Sequence, residues 1–417
     1  MKLLLSAYAC EPDRGSEPGV GWHWVLELAR LRHDVWVVTR ANNQQAIQRA
    51  SPDLPNVRFI YYDLPNWLAK LKKKAPILQF YYLLWQWGAY RTVRELHRQE
   101  QFDLVQHLTF GVFRHPSFMG RLGVPFIFGP VGGGERTPFR LRMDYGVKGH
   151  LVDAARDLAN VVARWNPWLR ETFAAAHIIL AKTPHTGMAV PRQYRHKVRH
   201  VIEIGVSGAA ASAELAPQDR GIRFLFVGRF LFWKGMQYGL RALARLLHDV
   251  PNARLTLVGA GPEGRRWRRL CQKLGIAHAV EWNGWMHQSE LASVYRSHHV
   301  LLFPSLHDSS GGVVLDAMSY GLPVVCFDLG GPGVLVTENS GILVTTARRS
   351  RQQLVAALAD AMKILADRPD TLRAVQLGAL ARARELTWAT VVRQVYGEPM
   401  DGTVRLPKLH GPELPIL

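Results

Sequence analysis

The stretch LLFPSLHDSSGGVVLDAMSYGLPVV, residues 301–325, changes its grammar three times. LLFPSL is an apolar run of strand length, HDSSGG a loop of glycine and small polar residues, VVLDAMSYG a segment with helical spacing, and LPVV the start of another apolar run. Strand, loop, helix and strand make a βαβ unit, which predicts a parallel sheet with helices packed on it. The loop also carries chemistry. Ser310, Gly311, Gly312 and Val313 stand where it becomes the helix, so their amides fall at a helix N-terminus, a place that binds phosphate without side chains. Asp308 lies on the loop and Asp316 within the helix. An acid and base that cut a sugar bond are expected on converging elements. Two acids on one loop and its helix leave a catalytic pair, a metal site and a holder of some other ligand open at this point.

The same grammar extends in both directions. Upstream, IRFLFVGR, ARLTLVGAG and AVEWNGW are strands separated by the helical runs MQYGLRALARLLHDV and RRWRRLCQKLG. The first half opens with its own cycle: the strand KLLLSAY, the glycine loop EPDRGSEPGVG, the helix WHWVLELARLR and the strand DVWVVTR. VRFIYYD, FDLVQHL and VPFIFGPVGGGE continue it, and HIILAKT supplies its last strand. The fold class is therefore α/β, with two doubly wound units, residues 1–204 and 205–384, and a linker within residues 202–221. Ligands of such sheets gather at the carboxyl ends of the strands, here in a cleft between the units.

Composition narrows the partners. A chain of 417 residues with 48% hydrophobic content has ample core for two domains, and its net charge of +19 implies an anionic partner. Cys10, Cys271 and Cys326 are far apart and form neither a disulfide framework nor a zinc motif, which fits a reducing, cytoplasmic compartment. MKLLLSAYAC is expected to be a buried strand rather than a leader, and no apolar run reaches the roughly 18 to 20 residues needed to cross a bilayer. Residues 66–98 combine a lysine run, Lys70, Lys72, Lys73 and Lys74, with an aromatic middle that includes Trp85 and Trp87. That segment suits either an element lying in an anionic membrane interface or a core helix with a solvated approach. The clustered Trp and Tyr favour membrane contact. No module that reads nucleic acid is present, so nucleic acid is not an expected partner.

Three further strand ends offer ligand groups. In FVGRFLFWKG, Gly228 allows a tight turn, and Arg229 and Lys234 emerge beyond the sheet, where two cations could hold a diphosphate. Gly259 and Gly261 of LVGAGPE allow close backbone approach to a flat ligand, and the Met286 backbone of NGWMHQSEL faces the same edge, with Trp285 as a core candidate. His298 and His299, at the start of a strand, read as packing residues. No Asp-x-Asp occurs, so no metal is expected, because the cationic pair can take a divalent ion's place.

The ordered set VGR-x4-KG, VGAGPE, NGW, LLFPSLHDSSGGVVLDAMSYGLPVV, DLGGPG and GILV, across residues 227–344, resembles the donor-binding half of the family-four retaining glycosyltransferases of GT-B fold. The first half resembles them more loosely, through RHDVWVVT and the glycine loop EPGVG with Glu17, Gly19 and Gly21. LTWATVVRQVY, within residues 385–417, resembles the helix that crosses back to the first domain in that fold. The resemblance implies transfer of a sugar from a nucleotide diphosphate sugar with retention of configuration. It places Arg229 and Lys234 on the diphosphate, Asp308 on the donor sugar, Asp316 on the ribose, and the backbone of Gly311, Gly312 and Val313 on sugar and phosphate, with Ser310 beside them as a further donor-binding candidate. Both acids stand where the family usually has glutamates, a reach shorter by roughly 1.2–1.5 Å. After VPFIF, where relatives place a histidine or an acid, this chain reads GPVGGGE. Gly132 and Gly133 there offer backbone or a flexible turn, and Glu135 or His107 a polar group.

The expected protein is thus a peripheral enzyme at the inner membrane face, acting on a lipid-linked saccharide or polysaccharide precursor. A soluble glycosyltransferase with a small-molecule acceptor and a catalytically silent scaffold of the same fold are the alternatives.

Overall fold

The computed structural model describes residues 1–50, 53–65, 67, 75–207 and 221–397. They gather into two compact units. The first holds Met1–Gly134, Leu158–Glu203 and the described residues from Trp388 onward; the second holds Glu135–Asp157 and Ile204–Thr387.

The first unit is built on a seven-stranded parallel sheet: β1 (Lys2–Ser6), β2 (Asp34–Arg40), β3 (Val57–Tyr62), β4 (Leu104–His107), β5 (Phe126–Val131), β6 (Ile178–Ala181) and β7 (Val198–His200), in the order β3-β2-β1-β4-β5-β6-β7. Its central strands are continuous apolar runs because helices cover both faces. Leu3, Leu4 and Leu5 of β1 are all fully buried. HIILAKT is not the last strand of this sheet: β7 pairs outside it, through Ile179 beside Val198. Helix Trp388–Tyr396 closes the unit, with Trp388 stacked on His23 and the Tyr396 hydroxyl donating to Gln106 Oε1.

The second unit is built on a six-stranded parallel sheet: β8 (Arg223–Val227), β9 (Arg254–Val258), β10 (Val280–Asn283), β11 (Val300–Phe303), β12 (Val324–Phe327) and β13 (Gly341–Val344), ordered β10-β9-β8-β11-β12-β13. In both sheets the order reverses beside the first strand, between β1 and β4 and between β8 and β11, which opens a crevice at the carboxyl ends. Helix Gly312–Ser319 follows β11 directly.

Two further expectations are corrected at this level. Glu135–Asp157, assigned by sequence to the first domain, packs with the second unit. The buried Asp144 carboxylate explains it, being paired with Arg241 at 3.3 Å and Arg351 at 3.0 Å, while the Tyr238 hydroxyl donates to the Leu141 carbonyl at 2.9 Å. The aromatic middle of residues 66–98 is a core element, part of helix Ala75–Glu100. Tyr81, Tyr82, Trp85, Gln86 and Ala89 are buried, and Trp85 Nε1 donates to the Tyr62 carbonyl at 2.9 Å, so Trp85 is not available to a membrane. Trp87 is partly exposed but rests edge-on against Phe118 and under the Arg121 guanidinium. Lys70, Lys72, Lys73 and Lys74 lie outside the described residues.

Candidate active site

The second unit brings Lys234 and Asp308 together at the carboxyl edge of its sheet. Lys234 ends the short 3-10 turn Phe232–Lys234 after β8 and lies above the Phe303 ring, and its Nζ is 2.5 Å from Asp308 Oδ2. Gly235 makes this approach possible. Its φ is +70°, and a Cβ there would stand 1.8 Å from the Pro304 carbonyl oxygen, so only glycine lets the turn lie against the loop after β11. The Leu306 amide donates to the Trp233 carbonyl at 2.8 Å and ties the two loops together.

Asp308 is fully engaged. Its Oδ1 accepts from the amides of Ser310 at 3.3 Å and Gly311 at 3.2 Å. Burial works to raise this carboxyl, but the Lys234 ammonium and the two amides outweigh it and hold the group below its ordinary range. The amides of Ser310 and Gly311, expected to face a ligand, are therefore spent on Asp308. Gly312 and Val313 belong to the first turn of the helix, and nothing lies within 4 Å of the Cβ position at Gly312. Gly330 braces the loop from behind: its φ is +61°, a Cβ would meet the Asp308 carbonyl oxygen at 2.1 Å, and the neighbouring Gly331 amide donates to that oxygen at 2.7 Å. Gly330 and Gly235 were not site candidates from the sequence, where they stand only as members of DLGGPG and WKG. Signal for both lay in their place in glycine-bearing loops beside site segments.

Asp316 has a different environment. Burial pushes its carboxyl up to about 6. Tyr295 lies close enough that its hydroxyl, already raised by burial, is raised further by the Asp316 charge. Arg229 is exposed just beyond Gly228 at the end of β8, and Met286 is half-buried. Trp285 is largely exposed, not core. The side-chain positions of Gly259 and Gly261 are filled by the Gly228 carbonyl at 2.1 Å and the Phe230 carbonyl at 2.5 Å, so these glycines fit loop to loop. His298 and His299 serve packing, on Thr256 Oγ1 at 2.8 Å and on the Arg223 amide at 2.9 Å.

Glu135 also belongs here. It is buried in the second unit, where its charge acts on His307, next to Asp308. Burial, reinforced by Arg156, pushes the His307 imidazole down to about 4, so it is neutral at physiological pH.

The other first-half candidates stay in the first unit. His107 is buried in β4, pushed down to about 3 by burial and by His115, with Nε2 3.3 Å from the Tyr82 hydroxyl. Gly132 bridges to Val112, and the Gly133 carbonyl accepts from Arg114 at 3.2 Å and Asn160 at 3.3 Å, which makes GPVGGGE a pinned loop rather than a flexible one. The side-chain positions of Gly19 and Gly21 are filled by the Arg14 and Ala9 carbonyls of their own loop, so both places require glycine. Glu17 lies beside a pair that sequence reading missed. Lys182 Nζ is 2.6 Å from Glu203 Oε1, both buried, and burial holds the Glu17 carboxyl above its ordinary range despite the nearby Lys182 ammonium. Glu17 is 165 positions from Lys182, so no local spacing announces the group. Among the described residues no group of three or more His, Cys, Asp and Glu side chains could hold a metal ion.

The two doubly wound parallel sheets are those of a GT-B fold, and the second presents a basic and acidic pair at its carboxyl edge. Residues 221–367 match the family model of glycosyl transferases group 1. The chain is similar to the D-inositol 3-phosphate glycosyltransferase of Streptomyces bingchenggensis, 32% identical over 49% of this chain and 46% of that one. It is also similar to that of Streptomyces avermitilis, 28% identical over 96% of this chain and 87% of that one. The match to the first of these, and to several others of the same name, spans only about half of the relative's length. Among solved structures, sucrose-phosphate synthase from Thermosynechococcus elongatus superposes with a TM-score of 0.60 at 19% identity, covering 94% of this chain and 96% of the other. Anabaena Alr3699/HepE in complex with UDP and glucose superposes with a TM-score of 0.55 at 16% identity, covering 95% and 98%. These two likenesses concern the fold.

Proposed function

We propose that this protein transfers a sugar from a nucleoside diphosphate sugar to an acceptor hydroxyl with retention of configuration. The observation that carries the reading is the Lys234–Asp308 pair, held beside the N-terminus of helix Gly312–Ser319 at the edge where a doubly wound sheet takes its ligand. Lys234 and Arg229 stabilise the charge that develops on the departing diphosphate, and the amides of Gly312 and Val313 add to it. Asp308 orients donor-sugar hydroxyls, and Asp316 accepts from the ribose. In the front-face course that the family resemblance implies, the bond from the anomeric carbon to the diphosphate oxygen breaks. The acceptor oxygen then bonds to the same face and gives its proton to a phosphate oxygen. No protein nucleophile and no metal ion takes part.

The net charge of +19 supports an acceptor presented at an anionic surface. We place the enzyme on the cytoplasmic face of the inner membrane, working on a lipid-linked saccharide or polysaccharide precursor. A second reading, a phosphorylated small-molecule acceptor, is favoured by the names of the inositol phosphate relatives. The solved neighbour with bound UDP favours a uridine donor.

A thermal-shift screen against UDP-, GDP- and ADP-sugars tests the donor, since a ligand of the folded state raises Tm. A radiolabelled transfer assay to lipid extract or to inositol phosphates tests the acceptor. No shift, no transfer and no donor hydrolysis with any nucleotide sugar would sink the enzymatic reading in favour of a binding scaffold.

A further inference from the structure

Helix Val147–Val162 is built inside out. Two of its polar residues point inward: Asp153 is 0% exposed and Asn160 4%. Asp153 pairs with Arg142 at 3.3 Å and Arg156 at 3.1 Å, and Asn160 accepts from Arg114 at 2.8 Å. Its apolar residues face solvent. Val147 is 79% exposed, Leu151 65%, Leu158 64% and Val162 53%, at spacings of four and seven that trace one stripe along the helix. Trp165 follows, 69% exposed, and the preceding turn Phe139–Asp144 exposes Phe139 and Met143. A stripe of this kind costs free energy in water and marks a surface that is covered in use.

Charge identifies the cover. Between residues 136 and 170 the exposed charged residues are Arg136, Arg140, Lys148, Arg164 and Arg170, all cationic. The acids of the same stretch, Asp144, Asp153 and Asp157, are held in ion pairs with arginines. The first exposed acid beyond it, Glu171, is paired with Arg121. An apolar stripe with a tryptophan at its end and only cations beside it matches a bilayer interface rich in anionic headgroups. At about 24 Å for 16 residues the helix suits a position in the plane of that interface, and no described helix is long and apolar enough to cross a membrane.

We infer, resting on the membrane-proximal part of the reading above, that helix Val147–Val162 is the surface by which this protein sits on an anionic bilayer, its stripe sunk among the acyl chains and its arginines at the headgroups. The test is flotation of the full chain with phosphatidylcholine vesicles, with and without phosphatidylglycerol, at low salt. The wild type is expected to float with the anionic vesicles. A Leu151→Asp/Leu158→Asp variant is expected to lose at least about tenfold in partition, because two leucines forfeit their burial. Both positions are exposed, so its thermal melt should match the wild type. If that variant floats unchanged while a Lys72→Gln/Lys73→Gln/Lys74→Gln variant does not, the inference falls and the membrane reading stands. If the wild type floats with no vesicle, the membrane reading falls with it. Light scattering that shows a dimer broken by Leu158→Asp assigns the stripe to a second copy and overturns the inference.

Discussion

Lys234 and Asp308 are each other's counter-ion, and that sets what either substitution should cost. Lys234→Ala removes a leaving-group cation and leaves a half-buried carboxylate without its counter-ion, held by the Ser310 and Gly311 amides alone. It should lower kcat by about 100-fold or more and stability by about 3 kcal/mol, read from transfer kinetics and a urea melt. Unchanged turnover would exclude the leaving-group role. Asp308→Glu is expected to do harm rather than restore a family standard. Both oxygens of the shorter acid already have partners, so an added methylene must break the amide contacts or push Lys234 away, costing about 1 kcal/mol in a melt. Asp316 governs pH dependence. With its folded value near 6, above an ordinary carboxyl, the folded protein holds the extra proton. Its contribution to stability is full at acid pH and is lost as pH rises through about 6. Donor binding runs the other way, since the carboxylate is the better acceptor. Nucleotide-sugar affinity should weaken as pH falls below about 6 in the wild type and show no such step in Asp316→Asn, by calorimetry at several pH values.

At the scale of elements, the site is a contact between two loops, and glycines set the distance. Gly330→Ala puts a methyl group into the Asp308 carbonyl at a positive φ. The loop after β11 should shift, stability should fall by about 1–3 kcal/mol, and donor binding should weaken, while Gly312→Ala, which meets open space, should leave stability nearly unchanged. Denaturation curves of the two variants decide it. This level was only half legible in the sequence. Residues 301–325 announced strand, loop and helix through periodicity and glycine, and both sheets followed from the same grammar. The Lys234–Asp308 contact, by contrast, depends on a turn folding over a neighbouring strand end, which spacing does not encode. Helix Ala75–Glu100 shows the opposite error: Trp and Tyr beside lysines look the same in sequence whether the rings face lipid or core. Helix Val147–Val162 shows why, since its periodicity gives a correct stripe but not which side is out.

For the molecule as a whole, the cationic pair at the sheet edge predicts independence from divalent ions. Treatment with EDTA should leave turnover unchanged, and a loss restored by magnesium would move the leaving-group role from Lys234 and Arg229 to a metal. Two parallel sheets were readable from the sequence because most strands are local apolar runs between turn signals, whereas the edge strand β7 and the strand order were not. Nor was the path of the chain between the sheets, because it is set by Asp144 meeting Arg241 and Arg351, about a hundred and two hundred positions away. The chain passes between units at Gly134/Glu135, Asp157/Leu158, Glu203/Ile204 and Thr387/Trp388, so neither unit is one uninterrupted run of sequence. Exchange of domains between relatives by a single cut near residue 204 would strip the second unit of Asp144 and Glu135 and leave Arg241 and Arg351 without their carboxylate. A chimaera that keeps both units whole has to carry residues 135–157 along with 204–387, as a graft in two pieces.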